Sequence, residues 1–195
     1  MIRLLLFWIV THSLLHGARS MPKYSIAFLH TLYLLAQLVY SFENIDRCIS
    51  WSISYFLVDC VPVALAPGRR IHRYGIVLHH AIAILTLANY PTAEELREAT
   101  THVFYVAEVS NLFLYSTDAV RSKLGKLHVV SQAMVVLEFI AYTYCRCYLM
   151  GGLIFAHFGV IRESALLLGG AFIIYSMGVY WSALLARQVL RNTGA

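Results

Sequence analysis

Tyr74-Gly75-Ile76-Val77-Leu78-His79-His80-Ala81-Ile82-Ala83-Ile84-Leu85-Thr86-Leu87-Ala88-Asn89-Tyr90 decides how the chain is read. About seventeen residues of almost unbroken apolar character make a helix long enough to cross a bilayer. Two adjacent imidazoles sit near its start, where a polar side chain needs a partner from protein or from enclosed water. Such a pair suits acyl-transfer chemistry, metal, haem or a hydrogen-bonded knot between helices. The remaining sequence has to separate these.

Composition sets the class. Of the 195 residues, 59% are hydrophobic and only 13% charged, with a mean hydropathy of +0.67. A soluble domain of this size could not cover its surface with so few polar groups. The expectation is an all-α membrane protein, and the net charge of +5 is a matter of which loops carry it, with no sign of a nucleic-acid partner. Cys48, Cys60, Cys145 and Cys147 fall in apolar stretches and read as small packing residues, with no zinc or disulfide pattern.

About seven spans are expected. Met1 to His16 is apolar but holds His12 and His16, which argue for a retained signal anchor over a cleaved leader. Their spacing of four allows a metal pair, although a polar stripe near a helix end explains it more simply. The chain therefore divides into an N-terminal transmembrane helix, 1–20, and a transmembrane domain, 21–195. The second span (about Tyr24 to Phe42) carries His30, and the third (about Trp51 to Ala66) carries Tyr55 and Asp59 one turn apart, with Pro62 beyond. A basic turn, Pro67 to Arg73, precedes the histidine span, and an acidic loop, Pro91 to Thr100, follows it. The fifth span (about Thr101 to Thr117) places Glu108, Asn111 and Tyr115 on one face. Lys126 to Met150 forms a sixth, with His128, Glu138 and Arg146. Glu163 to Leu185 forms a seventh, ending in an interfacial Tyr180-Trp181 pair.

With seven spans, ten Lys and Arg fall on one side and four on the other, so the basic side is expected to be cytosolic and the N-terminus lumenal. Counting ~1.5 Å per residue puts His79, His80, His30, Asp59 and Asn111 roughly 8 to 10 Å inside the cytosolic edge, and Glu108 near 15 Å. Polar groups from four spans thus share one layer. A carboxylate at the bilayer centre costs about 2.5 to 3.5 kcal/mol on insertion scales, so Asp59 and Glu108 are expected to line a polar cavity and pair with the histidines.

The ordered set Ser54-Tyr55-Phe56-Leu57-Val58-Asp59, Leu78-His79-His80, Ala107-Glu108-Val109-Ser110-Asn111, Arg146 and Tyr180-Trp181 resembles the landmarks of the TLC domain, over about Ile26 to Leu185. The resemblance implies six helices in a barrel around a cavity, plus one extra helix, and residence in the endoplasmic reticulum. Ceramide synthases of that family transfer an acyl group from acyl-CoA to a sphingoid base. They carry His-Asp-x-x-Asp where this chain has Ala107-Glu108-Val109-Ser110-Asn111, and often a threonine where it has Ala83. The chain is therefore similar to TLC-domain proteins outside the ceramide synthase branch.

Two functions follow as expectations. The first is binding or regulation of acyl lipids through a cytosol-facing cavity. The alternative is acyl-CoA-dependent acyl transfer, in which His79 or His80 takes a proton or the acyl group while Asp59 or Glu108 fixes the ring. His30, Tyr55, Asn111, Tyr115 and Arg146 would contact substrate, Asn111 and Tyr115 as donors to a thioester oxyanion. Arg69, Arg70 and Arg73 would mark topology or hold the phosphates of coenzyme A. Di-iron and elongase chemistry would need an HxxHH box, which the chain lacks. A haem held by His30 and His80 would colour the purified protein.

Overall fold

The computed structural model describes residues 2–17, 25–40, 45–65, 70–89 and 94–193, and these are almost entirely helical. In chain order the helices are α1 (Ile2–Gly17), α2 (Ser25–Tyr40), α3 (Ile45–Leu65), α4 (Arg70–Ala88), α5 (Glu94–Leu124), α6 (Val129–Ala156), the single turn α7 (Phe158–Ile161) and α8 (Ala165–Thr193). Three of them, α3, α6 and α8, are long and apolar enough to cross a membrane. Shorter apolar helices lie within α1, α2 and α4.

Two boundaries differ from the sequence reading. The acidic segment is helical from Glu94 onward, because Glu94, Glu95, Leu96, Arg97, Glu98 and Ala99 are strong helix formers and their acids favour the positive end of a helix dipole. In the basic turn, Arg70 already opens α4, while 66–69 lie outside the described residues. Gly125 ends α5 at a φ of 83°, the left-handed conformation glycine tolerates, with its N–H donating to the Arg121 carbonyl at 3.0 Å. His128 belongs to no membrane core: its Nδ1 accepts from Val130 N–H at 3.2 Å and caps α6.

Six helices close on themselves. α2 packs on α3, α3 on α4, α4 on α8, α8 on α6, α6 on α5, and α5 returns to α2, while α1 lies outside against α3 and α2. The outward faces are apolar, with Val39, Val61, Leu78, Leu85, Ile140 and Phe172 all exposed. Mainly apolar groups on the outside and buried Glu108, Glu138 and Arg146 within is the reverse of a water-soluble bundle.

α1 is seated by one side chain. Trp8 is 2% exposed and meets Trp51 and Tyr55 edge-on, at ring centroid distances of 5.0 and 5.1 Å. Phe7 leans on Trp51 from the other side at 5.1 Å. Aromatic pairs of this kind contribute about 0.5–1.5 kcal/mol each beyond burial. Replacing Trp8 with Ala is expected to destabilise the protein by about 3 kcal/mol, read as a lowered Tm of the purified protein in detergent. An unchanged Tm would mean that α1 is not packed as described.

Candidate functional site

The ring encloses a cavity of about 440 Å³, inside the range of roughly 300–1,000 Å³ usual for small-molecule sites. Its wall carries His30, Tyr55, Asp59, His79, His80, Glu108, Asn111, Tyr115 and Arg146 among mostly apolar neighbours. Side chains from α2, α3, α4, α5 and α6 thus reach one space. Of the residues the sequence pointed to for coenzyme A, Arg69 lies outside the described residues, as do the side chains of Arg70 and Arg73. The side chains of His12 and His16 are likewise outside them.

The two histidines are not equivalent. His80 is buried and donates from Nε2 to Asp59 Oδ2 at 2.9 Å, bridging α4 and α3. Its ring stacks on Phe56 at 4.9 Å. Its neighbour on the helix, His79, points about a hundred degrees away around α4. There it meets Trp181 of α8 edge-on, at 5.5 Å between ring centroids. The Nδ1 atoms of both rings are covered and without a partner among the described residues, which leaves His79 Nε2 as the ring nitrogen of the pair open to the cavity. Trp181 therefore lines the cavity, while Tyr180 beside it is exposed.

Glu108 corrects the expected pairing. It lines the cavity, but among the described residues it bonds no histidine. Its Oε2 accepts from Thr31 Oγ1 of α2 at 2.6 Å and from Asn111 Nδ2 at 3.4 Å. Asn111 in turn accepts from Arg146 Nη2 at 3.0 Å, so its Oδ1 is engaged and its Nδ2 gives one of its two N–H groups to Glu108. Arg146 also donates from Nε to Ser110 Oγ at 2.8 Å and from Nη2 to the Ala107 carbonyl at 3.1 Å. The chain Thr31–Glu108–Asn111–Arg146 joins α2, α5 and α6. His30 stands apart from it, stacked on Tyr55 at 4.0 Å, with Nε2 buried and unpartnered among the described residues. The Tyr55 hydroxyl is hydrogen-bonded to Asp59 one turn on.

Arg146 lies where α6 departs from a regular helix. Tyr144–Leu149 form a π turn in which Met150 N–H bonds the Cys145 carbonyl, five residues back. The wider turn shifts the register of every later side chain, and such turns are frequent at functional sites. α8 makes room for it through Gly178: a Cβ there would stand 3.1 Å from Arg146 Cβ. Gly170 plays the same part against α4, where a Cβ would meet Thr86 Oγ1 at 2.5 Å. Near Thr86, Met150 and Ile174 the main cavity adjoins a second, of about 70 Å³, whose further lining is apolar: Leu153, Ile154, Ile161, Leu167 and Ala171.

Thr31, Ser110, Gly178 and the π turn were not singled out by the sequence. Thr31, one residue after His30, was detectable only as a polar residue on an otherwise apolar helix. No family model, curated protein or solved structure matches the chain. The site is therefore argued from its own geometry.

Glycine replacement isolates the α6–α8 contact. Gly178→Ala is expected to cost about 1–3 kcal/mol by overpacking against Arg146. Gly169→Ala meets open space and should instead gain up to about 1 kcal/mol from helix propensity. Thermal unfolding of the two variants side by side checks this, and equal Tm values would contradict the close approach.

Proposed function

We propose that this chain is an integral membrane protein of seven spans that binds an acyl lipid in the cavity within its ring of six helices. The observation that carries the reading is the cavity itself: a mostly apolar space into which five helices bring polar side chains, continued by a smaller, mostly apolar pocket. An apolar wall takes the chain and the polar side chains take the headgroup. The TLC-like order of acid, histidine pair, acid-bearing helix and late arginine supports the same reading, as do the exposed apolar faces. Seven spans, a lumenal N-terminus, a cytosolic C-terminus and residence in the endoplasmic reticulum form part of this proposal; given seven spans, the ten-to-four distribution of basic residues supports the orientation of both termini.

A specific arrangement favours a second reading, acyl transfer from acyl-CoA to an amine or alcohol. His79 keeps one ring nitrogen open to the cavity, beside an imidazole fixed by a carboxylate, His80 on Asp59. In that reaction the nucleophile attacks the thioester carbonyl as His79 Nε2 takes its proton. The C–S bond then breaks, and the proton passes to the departing thiolate. Arg70 and Arg73 stand at the start of α4, at the cytosolic end where the phosphates of coenzyme A would approach.

Native mass spectrometry of the protein purified from membranes tests the first reading, with release of bound acyl lipid expected and a lipid-free protein contradicting it. Labelled acyl-CoA offered with a sphingoid base separates the second. Turnover by the wild type, lost in His79→Ala at normal protein abundance, would assign catalysis. Absent turnover with lipid bound would leave the binding function. Topology is checked by cysteines placed at Ser122 and Gly125, which should react with an impermeant thiol reagent from the cytosolic side only.

A further inference from the structure

Arg146 is 3% exposed, yet no carboxylate forms an ion pair with it among the described residues. Its three hydrogen bonds run to neutral oxygens, those of Ser110, Ala107 and Asn111. One face of the guanidinium lies over the Tyr142 ring, 5.5 Å from its centroid, which offsets part of the charge. Glu108 is reached only through the Asn111 amide, and its Oε2 is already taken by Thr31 and Asn111. Asp59 is held by His80. These bonds use Nε and Nη2 and leave Nη1, on a side chain that lines the cavity, without an acceptor among the described residues.

A buried cation held rigidly by neutral groups, with both N–H groups of Nη1 left over, is incomplete. Guanidinium stays charged in proteins, and an unpaired charge in an apolar interior is costly until an anion joins it. An anionic oxygen, of a carboxylate or of a phosphate, is the strongest acceptor for the guanidinium N–H groups that remain. The cavity has room for such a group beside Arg146 and an apolar continuation past Met150, one turn along α6, for a chain attached to it.

We propose that the lipid bound in this cavity is anionic, a single-chain carboxylate or phosphate whose oxyanion is held by Arg146 Nη1. This rests on the lipid-binding reading above and adds to it the charge of the headgroup. A neutral sphingolipid or a sphingoid amine, which carries a positive charge, would leave Arg146 unpaired. His79 Nε2, open to the same space, supplies a further polar contact.

The test is displacement of a fluorescent fatty acid from the purified protein in nanodiscs of zwitterionic lipid. Hexadecanoate, hexadecyl phosphate, hexadecanol and hexadecylamine are the competitors, and inorganic phosphate is the free-anion control. Both long-chain anions are expected to compete at least about tenfold better than hexadecanol, the scale of one charge-assisted hydrogen bond. Whichever anion competes better identifies the source, fatty acid or phosphate lipid. Inorganic phosphate should not compete, and if it did the lipid assignment would be wrong. In R146Q the preference for anions over hexadecanol should vanish while hexadecanol binding persists, and R146K should keep part of the preference. Should R146Q fail to fold, the wild-type ranking still decides. Hexadecanol or hexadecylamine competing as well as the anions overturns the anionic assignment but leaves the lipid-binding reading intact. No binding of any long-chain compound overturns both.

Discussion

Charged side chains inside an apolar ring must be held by other side chains, and that constraint organises this molecule. Arg146, Glu108 and Asp59 are all enclosed, and each is fixed by at least one group from a neighbouring helix. In water such contacts are worth little, because solvent competes for every donor and acceptor. Within a ring whose outer faces are apolar there is no competitor, and a broken contact strands a polar group. The bonds of Thr31, Glu108, Asn111 and Arg146 therefore fix the order and register of α2, α5 and α6, while His80 and Asp59 do the same for α4 and α3.

α8 meets α6 at the π turn, where the Tyr175 hydroxyl donates to the Cys147 carbonyl at 3.4 Å and Ser182 Oγ lies 3.4 Å from Cys147 Sγ, and it is placed as much by what it lacks. Gly170 and Gly178 remove side chains where α8 crosses Thr86 on α4 and Arg146 on α6. Small residues at crossings are the usual means of bringing helices together where no hydrophobic drive favours it. Close approach at Gly178 has a second effect: it presses α8 against the π turn that presents Arg146. Trp181, nearly one turn on, then closes the cavity over His79. Ring closure and the shape of the site depend on the same glycine.

The helical segments were legible because long apolar runs admit few alternatives. Polar residues on one face of each run were legible for the same reason, so His30, Asp59, His80, Glu108 and Asn111 could be assigned to a shared layer by counting turns. Pairings were not. Periodicity says which face a side chain occupies, whereas partners depend on which helices become neighbours, and Glu108 found Thr31 on α2 instead of a histidine on α4. The π turn was illegible for a different reason: Tyr144-Cys145-Arg146-Cys147-Tyr148-Leu149 has no composition that marks it, and the extra residue per turn is stabilised by its neighbours. The start of α5 was misjudged because Glu94, Glu95 and Glu98 look like a solvated loop when helix propensity is set aside.

A hydrogen-bonded knot and a binding site use the same residue types, and here the geometry assigns them residue by residue. A side chain whose polar atoms are all consumed by protein partners does structural work. Thr31 and Ser110 satisfy that description, and His80 comes close to it, with Nε2 given to Asp59 and Nδ1 sealed off. His79 and Arg146 do not. Each keeps one nitrogen toward the cavity after the protein has made its claims, and the two are on different helices, α4 and α6, facing one space. A knot gains nothing from a guanidinium that three neutral oxygens hold in place with one nitrogen spare. Tightening such a contact would favour a carboxylate in the position of Asn111 or Ser110. Neutral oxygens there hold the cation without neutralising it, and that leaves its charge for whatever enters the cavity.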